Sequence, residues 1–110
     1  MRPLQGVLDS YGKQHTGLNV SNGNDYLVLA AGVAKSVVPP TGAKFILFGS
    51  TVSTDFWVDF TGADAAVPAD ITNHSGTVIL NPGLRYIPVE CTKISVIASA
   101  ICTVTMEFFN

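Results

Sequence analysis

The sequence predicts an all-β protein: an antiparallel, jelly-roll-like β-sandwich carrying an extended N-terminal arm. Three observations predict it. Ten glycines and six prolines interrupt most windows long enough for a helix, and such residues end helical runs. Between them lie short β-branched and aromatic segments at the spacing of sandwiches and barrels. Residues 89–110 contain no Gly or Pro and alternate with period two, which is the pattern of half-buried strands. The full 110 residues are the size of one domain.

Residues 1–25 read as the arm. Gly6, Gly12, Gly17, Ser21, Asn22, Gly23 and Asn24 are turn formers, while Leu4, Val7, Leu8, Leu18 and Val20 are too scattered for a strand pair. One short strand around Leu4 to Leu8 is the most this stretch supports. A chain end of this kind orders only when something ties it down. The expected support is a neighbouring subunit or shell; the competing one is the protein's own sheet, across the outer face of residues 45–48.

The sandwich is assigned to residues 26–110, because Tyr26 opens the first strong apolar run, YLVLAA. Strands are expected at 26–33, 35–38, 44–49, 55–60, 77–80, 85–89, 92–98 and 101–109. Pro39-Pro40-Thr41-Gly42, Gly49 to Ser53, Thr61-Gly62, Asn73 to Gly76 and Asn81-Pro82-Gly83 separate them. Residues 62–70 have room for a single helical turn before Pro68.

The closing segment is read as a hairpin. Cys102, Val104, Met106 and Phe108 share one face, opposite Thr103, Thr105 and Glu107; before them Ile94, Val96 and Ala98 alternate with Lys93, Ser95 and Ile97. Matching the apolar faces asks for a loop of three residues at 98–100 or five at 97–101. That pairing sets Cys91 roughly 17 Å from Cys102, too far for a disulfide, which needs Cα atoms within about 7 Å. The two cysteines therefore read as small buried hydrophobes.

Two strands depart from simple alternation. Phe45-Ile46-Leu47-Phe48 is apolar on both faces, so both should be covered, the outer one by the arm or another subunit. Next, Phe56, Val58 and Phe60 face one way and Asp55, Trp57 and Asp59 the other. A Trp between two carboxylates is not a core pattern. The expected contact surface is centred on Trp57 with Ile46 or Phe48 and flanked by Asp55 and Asp59, the pattern of an aromatic anchor in a polar rim. The competing reading places Trp57 beneath the protein's own arm.

Composition narrows the function classes. Charged residues are 13% of the chain, about half the roughly 25% of an ordinary soluble domain, which argues for lasting contact with neighbours. Net charge is −2, and Arg2, Lys13, Lys35, Lys44, Arg85 and Lys93 are scattered. No cationic stripe is available to neutralise nucleic-acid phosphates or an anionic membrane. The apolar runs at 26–31 and 94–104 fall short of the roughly 20 residues a membrane helix needs. The first ten residues lack the apolar block of a signal peptide, so synthesis in the cytosol is expected.

No motif carries catalysis. Asp55 and Asp59, four apart on one strand, have Cα atoms about 13 Å apart, which is not the arrangement of a glycosidase carboxylate pair. His15 and His74 stand apart from each other and from the cysteines, so no zinc ligand set converges. SNGND (21–25) lacks the spacing of a calcium loop, TGAK (41–44) lacks the first glycine of a phosphate loop, and no G-x-S-x-G elbow occurs. The sequons at Asn19 and Asn73 lie in a chain with no expected route to glycosylation. A non-enzyme without cofactor or metal is expected.

From Val33 to Phe109 the sequence resembles small structural proteins of tailed bacteriophages. The stretches that carry the likeness are VAKSVVPPTGAKFILFGS, TDFWVDF, AAVPAD, NPGLRYIPV and KISVIASAICTVTMEFF. These look like decoration or cement proteins of the head. The resemblance implies a virion subunit on the head exterior, bridging neighbouring copies of the major capsid protein. Self-association is also expected, as a dimer ahead of a trimer because two-fold contacts are commonest. Similar β-modules in phage tails and fibres give the alternative, a lectin-like module for host glycans that uses Trp57 as a stacking platform and Asp55 and Asp59 as hydroxyl acceptors.

Overall fold

In the computed structural model, which describes residues 5–8, 14–17, 21, 23–51 and 54–110, every regular element among the described residues is a strand. In chain order these are β1 (Gln5–Leu8), β2 (Gln14–Gly17), β3 (Gly23–Leu29), β4 (Lys35–Val37), β5 (Phe45–Ser50), β6 (Phe56–Asp59), β7 (Val78–Leu80), β8 (Leu84–Tyr86), β9 (Ile94–Ala98) and β10 (Cys102–Phe109). Eight of them build two antiparallel four-stranded sheets, β3-β10-β5-β8 and β4-β9-β6-β7, while β1 and β2 pair with each other in a separate ladder.

The alternating faces of these strands explain how the sheets meet. Ile46 and Phe48 of β5, and Cys102, Val104, Met106 and Phe108 of β10, turn to the same side as Leu29 of β3. From the other sheet come Phe56 and Val58 of β6 with Ile94, Val96 and Ala98 of β9, all in one buried cluster. The two apolar faces close on each other, since removing this area from water is the main term favouring the fold. Phe48 contacts Phe56 and Phe60 across the gap, with ring centroids 6.0 and 6.1 Å apart.

The expected hairpin at 92–109 is not formed. β9 pairs with β4 and β6, and β10 pairs with β3 and β5. The two consecutive strands stack across the core instead of lying edge to edge. Alternation fixes which face of each strand is apolar, and either arrangement buries both faces. Cys91 is half-buried and Cys102 buried, and both are free thiols.

The N-terminal segment also differs. A strand pair was not expected there, yet Gln5 lies opposite Gly17 and Leu8 opposite Gln14 in an antiparallel ladder. The sandwich begins with β3 at Gly23, so residues 23–25 belong to it and not to an arm. Residues 1–4, 9–13, 18–20 and 22, on which the docking of an arm was expected to rest, lie outside the described residues. The first sandwich strand ends at Leu29, earlier than the expected Val33; the chain turns beyond it, and Gly32 N donates to Ala98 O at 2.8 Å. No helical turn forms at 62–70; that stretch is an irregular connection between β6 and β7.

Candidate functional site

Along β6 the side chains alternate as the sequence predicts. Phe56 and Val58 enter the core, and Asp55, Trp57 and Asp59 face outward. This outward face is not open, because the β6–β7 connection folds back over it. Ala65 N donates a 2.8 Å hydrogen bond to Ser95 Oγ on β9, and Ser95 is fully buried as a result. Lys93 and Asp64 pair at the rim.

Asp59 closes the same cover from below. Only 1% of it is exposed. Its Oδ1 accepts from Thr61 N at 2.8 Å and Thr61 Oγ1 at 2.5 Å, and its Oδ2 accepts from Thr77 Oγ1 at 2.9 Å. Both oxygens are thus engaged by the two ends of one loop, which is how a carboxylate is tolerated in a buried place. Asp59 is a loop clamp and not the rim acid expected from the sequence.

Asp55 stays exposed, and it is tied to the next turn. Its Oδ1 accepts from Asn81 Nδ2 at 3.0 Å, and Asn81 Oδ1 accepts from Phe56 N at 3.1 Å. Asn81 has φ 44, a conformation Asn tolerates better than most residues. Trp57 is half-buried. It borders a groove of about 430 Å³ between Val67, Pro68 and Ile71 of the cover and Leu80 of β7. Trp57 therefore faces a groove walled by its own β6–β7 connection, which the alternation along the strand does not reveal.

Ile46 and Phe48 are not surface residues. Ile46 is fully buried and Phe48 is 7% exposed, both inside the core cluster. They also belong to the other sheet from Trp57. The outward pair on β5 is Phe45 and Leu47, both half-buried. The five expected contact residues do not form one surface.

The open surface is elsewhere, on the outer face of β3-β10-β5-β8. Register places Thr105 opposite Tyr26 and Gly49, Thr103 opposite Val28, Leu47 opposite Glu107 and Leu84, and Phe45 opposite Tyr86. Tyr26, Val28 and Tyr86 are 67%, 60% and 76% exposed. Tyr86 tilts over Phe45 with centroids 4.5 Å apart. A Cβ on Gly49 would come within 2.9 Å of Thr105 Oγ1, so glycine keeps this face flat. Four strands at roughly 4.8 Å spacing and about 15–20 Å of length give a patch of a few hundred Å², the size at which exposed apolar patches are functional. Glu107 is the one charged side chain that the strands turn to this face. Its signal was present in the alternation of Tyr26 and Val28 with Leu27 and Leu29, which gives β3 two apolar faces.

Among the described residues, no three His, Cys, Asp or Glu side chains come together. His74 sits in an exposed turn with φ 67, beside Asn73, whose Oδ1 accepts from Ser75 N and Oγ. Burial pushes both thiols above the ordinary range, and the Glu90 and Asp59 carboxylates push Cys91 further. Neither is poised as a nucleophile. No protein-family model, no curated protein and no solved structure matches this chain.

Proposed function

We propose that the chain is a non-enzymatic jelly-roll subunit that decorates a bacteriophage head, binding the major capsid protein from outside and holding neighbouring shell subunits together. The jelly-roll reading is supported by connectivity. Every link between consecutive sandwich strands passes from one sheet to the other except β6 to β7, which pair directly. Eight strands linked in this way in two sheets are the arrangement of a jelly roll.

The single observation that carries the functional reading is the open face bearing Tyr26, Val28, Leu84 and Tyr86. A flat, apolar and nearly uncharged sheet face is suited to a lasting contact in which aromatic side chains supply most of the energy. A subunit that binds only the assembled shell stabilises it by mass action. The same face, self-complementary about a two-fold axis, would join two copies into a dimer. The protein would be made in the host cytoplasm and reside on the virion. Against a glycan-binding role stands Asp59, whose oxygens are both occupied by its own loop.

Retention on empty heads tests the proposal. The protein should sediment with heads and stay silent on a glycan array, and the double variant Tyr26→Ser, Tyr86→Ser should lose at least tenfold in retention while its melting temperature holds. Tight glycan binding by the isolated protein, or full retention by the double variant, would overturn it.

A further inference from the structure

The two sheets end side by side in strands whose second edges are unpaired among the described residues, β8 in one and β7 in the other. Hydrogen-bond phase shows what those edges present. Ile87 N donates to Lys44 O at 2.8 Å and Phe48 N to Gly83 O at 2.9 Å. In an antiparallel ladder bonded pairs alternate with non-bonded ones, so Arg85 and Ile46 form the bonded pair between them. The N–H and C=O groups of Leu84 and Tyr86 point away from β5, along the free edge. On β7, Asn81 N donates to Phe56 O at 2.9 Å, and the same phase turns the backbone groups of Val78 and Leu80 outward.

Between these edges runs a slot of about 720 Å³ with Phe60 and Ile79 on one side and Arg85 on the other. Arg85 lies opposite the buried Ile46, so it takes the inward phase of β8 and reaches toward the slot. Its Nε donates to Pro82 O at 3.1 Å. It forms no ion pair among the described residues. An inward charge on an edge strand discourages indiscriminate strand pairing. It also sets the chemistry of a strand that is accepted, because an acid at the facing position cancels the penalty and an apolar residue does not.

We infer that the β8 edge is a strand-addition site for an extended peptide segment of a partner protein. The segment places one acidic side chain against Arg85 and apolar side chains two residues to either side, over the slot. Main-chain bonds to Leu84 and Tyr86 give the affinity, and the inward positions give the selection. The guanidinium, with its Nη groups unpartnered among the described residues, is shaped for bidentate pairing with a carboxylate. This site uses the main chain of Leu84 and Tyr86 and the inward side chain of Arg85, not the outward side chains of the open apolar face, and stands whether or not that face meets a capsid.

The probe is the capped peptide Ac-TVTETVT-amide, in which the glutamate and both valines share one phase, titrated into the isotope-labelled full chain. The Leu84 and Tyr86 amides should shift and exchange more slowly with solvent, and the glutamine peptide Ac-TVTQTVT-amide should bind about tenfold more weakly. In Arg85→Gln the two peptides should bind alike, and Arg85→Glu should prefer the lysine peptide Ac-TVTKTVT-amide. Equal binding of the glutamate and glutamine peptides by the unaltered chain would overturn the inference. So would shifts confined to Tyr26, Val28 and Thr105, or no shift at millimolar peptide.

Discussion

Thr77 Oγ1 donates a 2.9 Å hydrogen bond to Asp59 Oδ2 across 18 residues of chain, joining the last residue of β6 to the residue that precedes β7. With Thr61 on the other oxygen, this bond holds the β6–β7 connection down on its own sheet. Asp59→Ala should destabilise the fold by about 2–3 kcal/mol, because three donors lose a charged acceptor. Limited proteolysis should then cut within residues 62–76 faster than in the parent chain. An unchanged cleavage pattern would mean the loop is held by other contacts.

Phe48 separates core from contact. Its ring meets Phe56 and Phe60 across the two sheets. Phe48→Ala should cost about 3–5 kcal/mol through lost burial and the cavity left behind. Urea unfolding gives the value directly. A variant with a parental midpoint would return Phe48 to the surface role that its sequence position first suggested.

Gly62 has φ +94, and a Cβ there would come within 2.9 Å of Thr92 Oγ1. Gly62→Ala combines that crowding with a backbone region that side chains avoid, for a loss of about 1–2 kcal/mol. Adding Thr92→Ser in the same background leaves the hydroxyl in place and should not recover the loss; Thr92→Ala should recover part of it. Thermal melts of the three variants decide the matter.

The thiols give the pH dependence. Burial raises the pKa of Cys102 above that of the unfolded chain, so the folded state favours the neutral thiol. The contribution is complete below the unfolded value of about 8.5 and is lost as pH rises through the higher folded value. Stability should therefore fall between neutral and strongly alkaline pH, and less so in Cys102→Ala. At pH 8 iodoacetamide should modify Cys102 much more slowly in the folded protein than in urea; equal rates would show that the thiol is accessible.

How far the sequence reached is seen by comparing β9 and β10 with β6. The alternation in ISVIA and CTVTMEFF identified both strands and the apolar face of each, because period two is a local property of an extended chain. Their placement on opposite sheets was not legible. A short loop between two apolar-faced strands serves a hairpin and a cross-core arch equally, and the choice depends on strands β3 to β6, which lie far away in sequence and take up both edges of β9 and β10. On β6, the outward phase of Asp55, Trp57 and Asp59 was also local and correct. What covers that phase was not.

By itself the sequence determined the all-β class, the position of each sandwich strand to within a few residues, and the low charge of the chain. Only the tertiary structure decided which apolar face stays open. Ile46 and Phe45 look alike in sequence, yet Ile46 joins the core between the sheets and Phe45 turns to the outer face, where its ring meets Tyr86. It also turned Asp59 from a surface acid into a buried clamp, by bringing Thr77 to it. The physical reason is common to both. Extended geometry is fixed by neighbours along the chain, whereas burial depends on which distant segment arrives on each face, and no local pattern encodes that arrival.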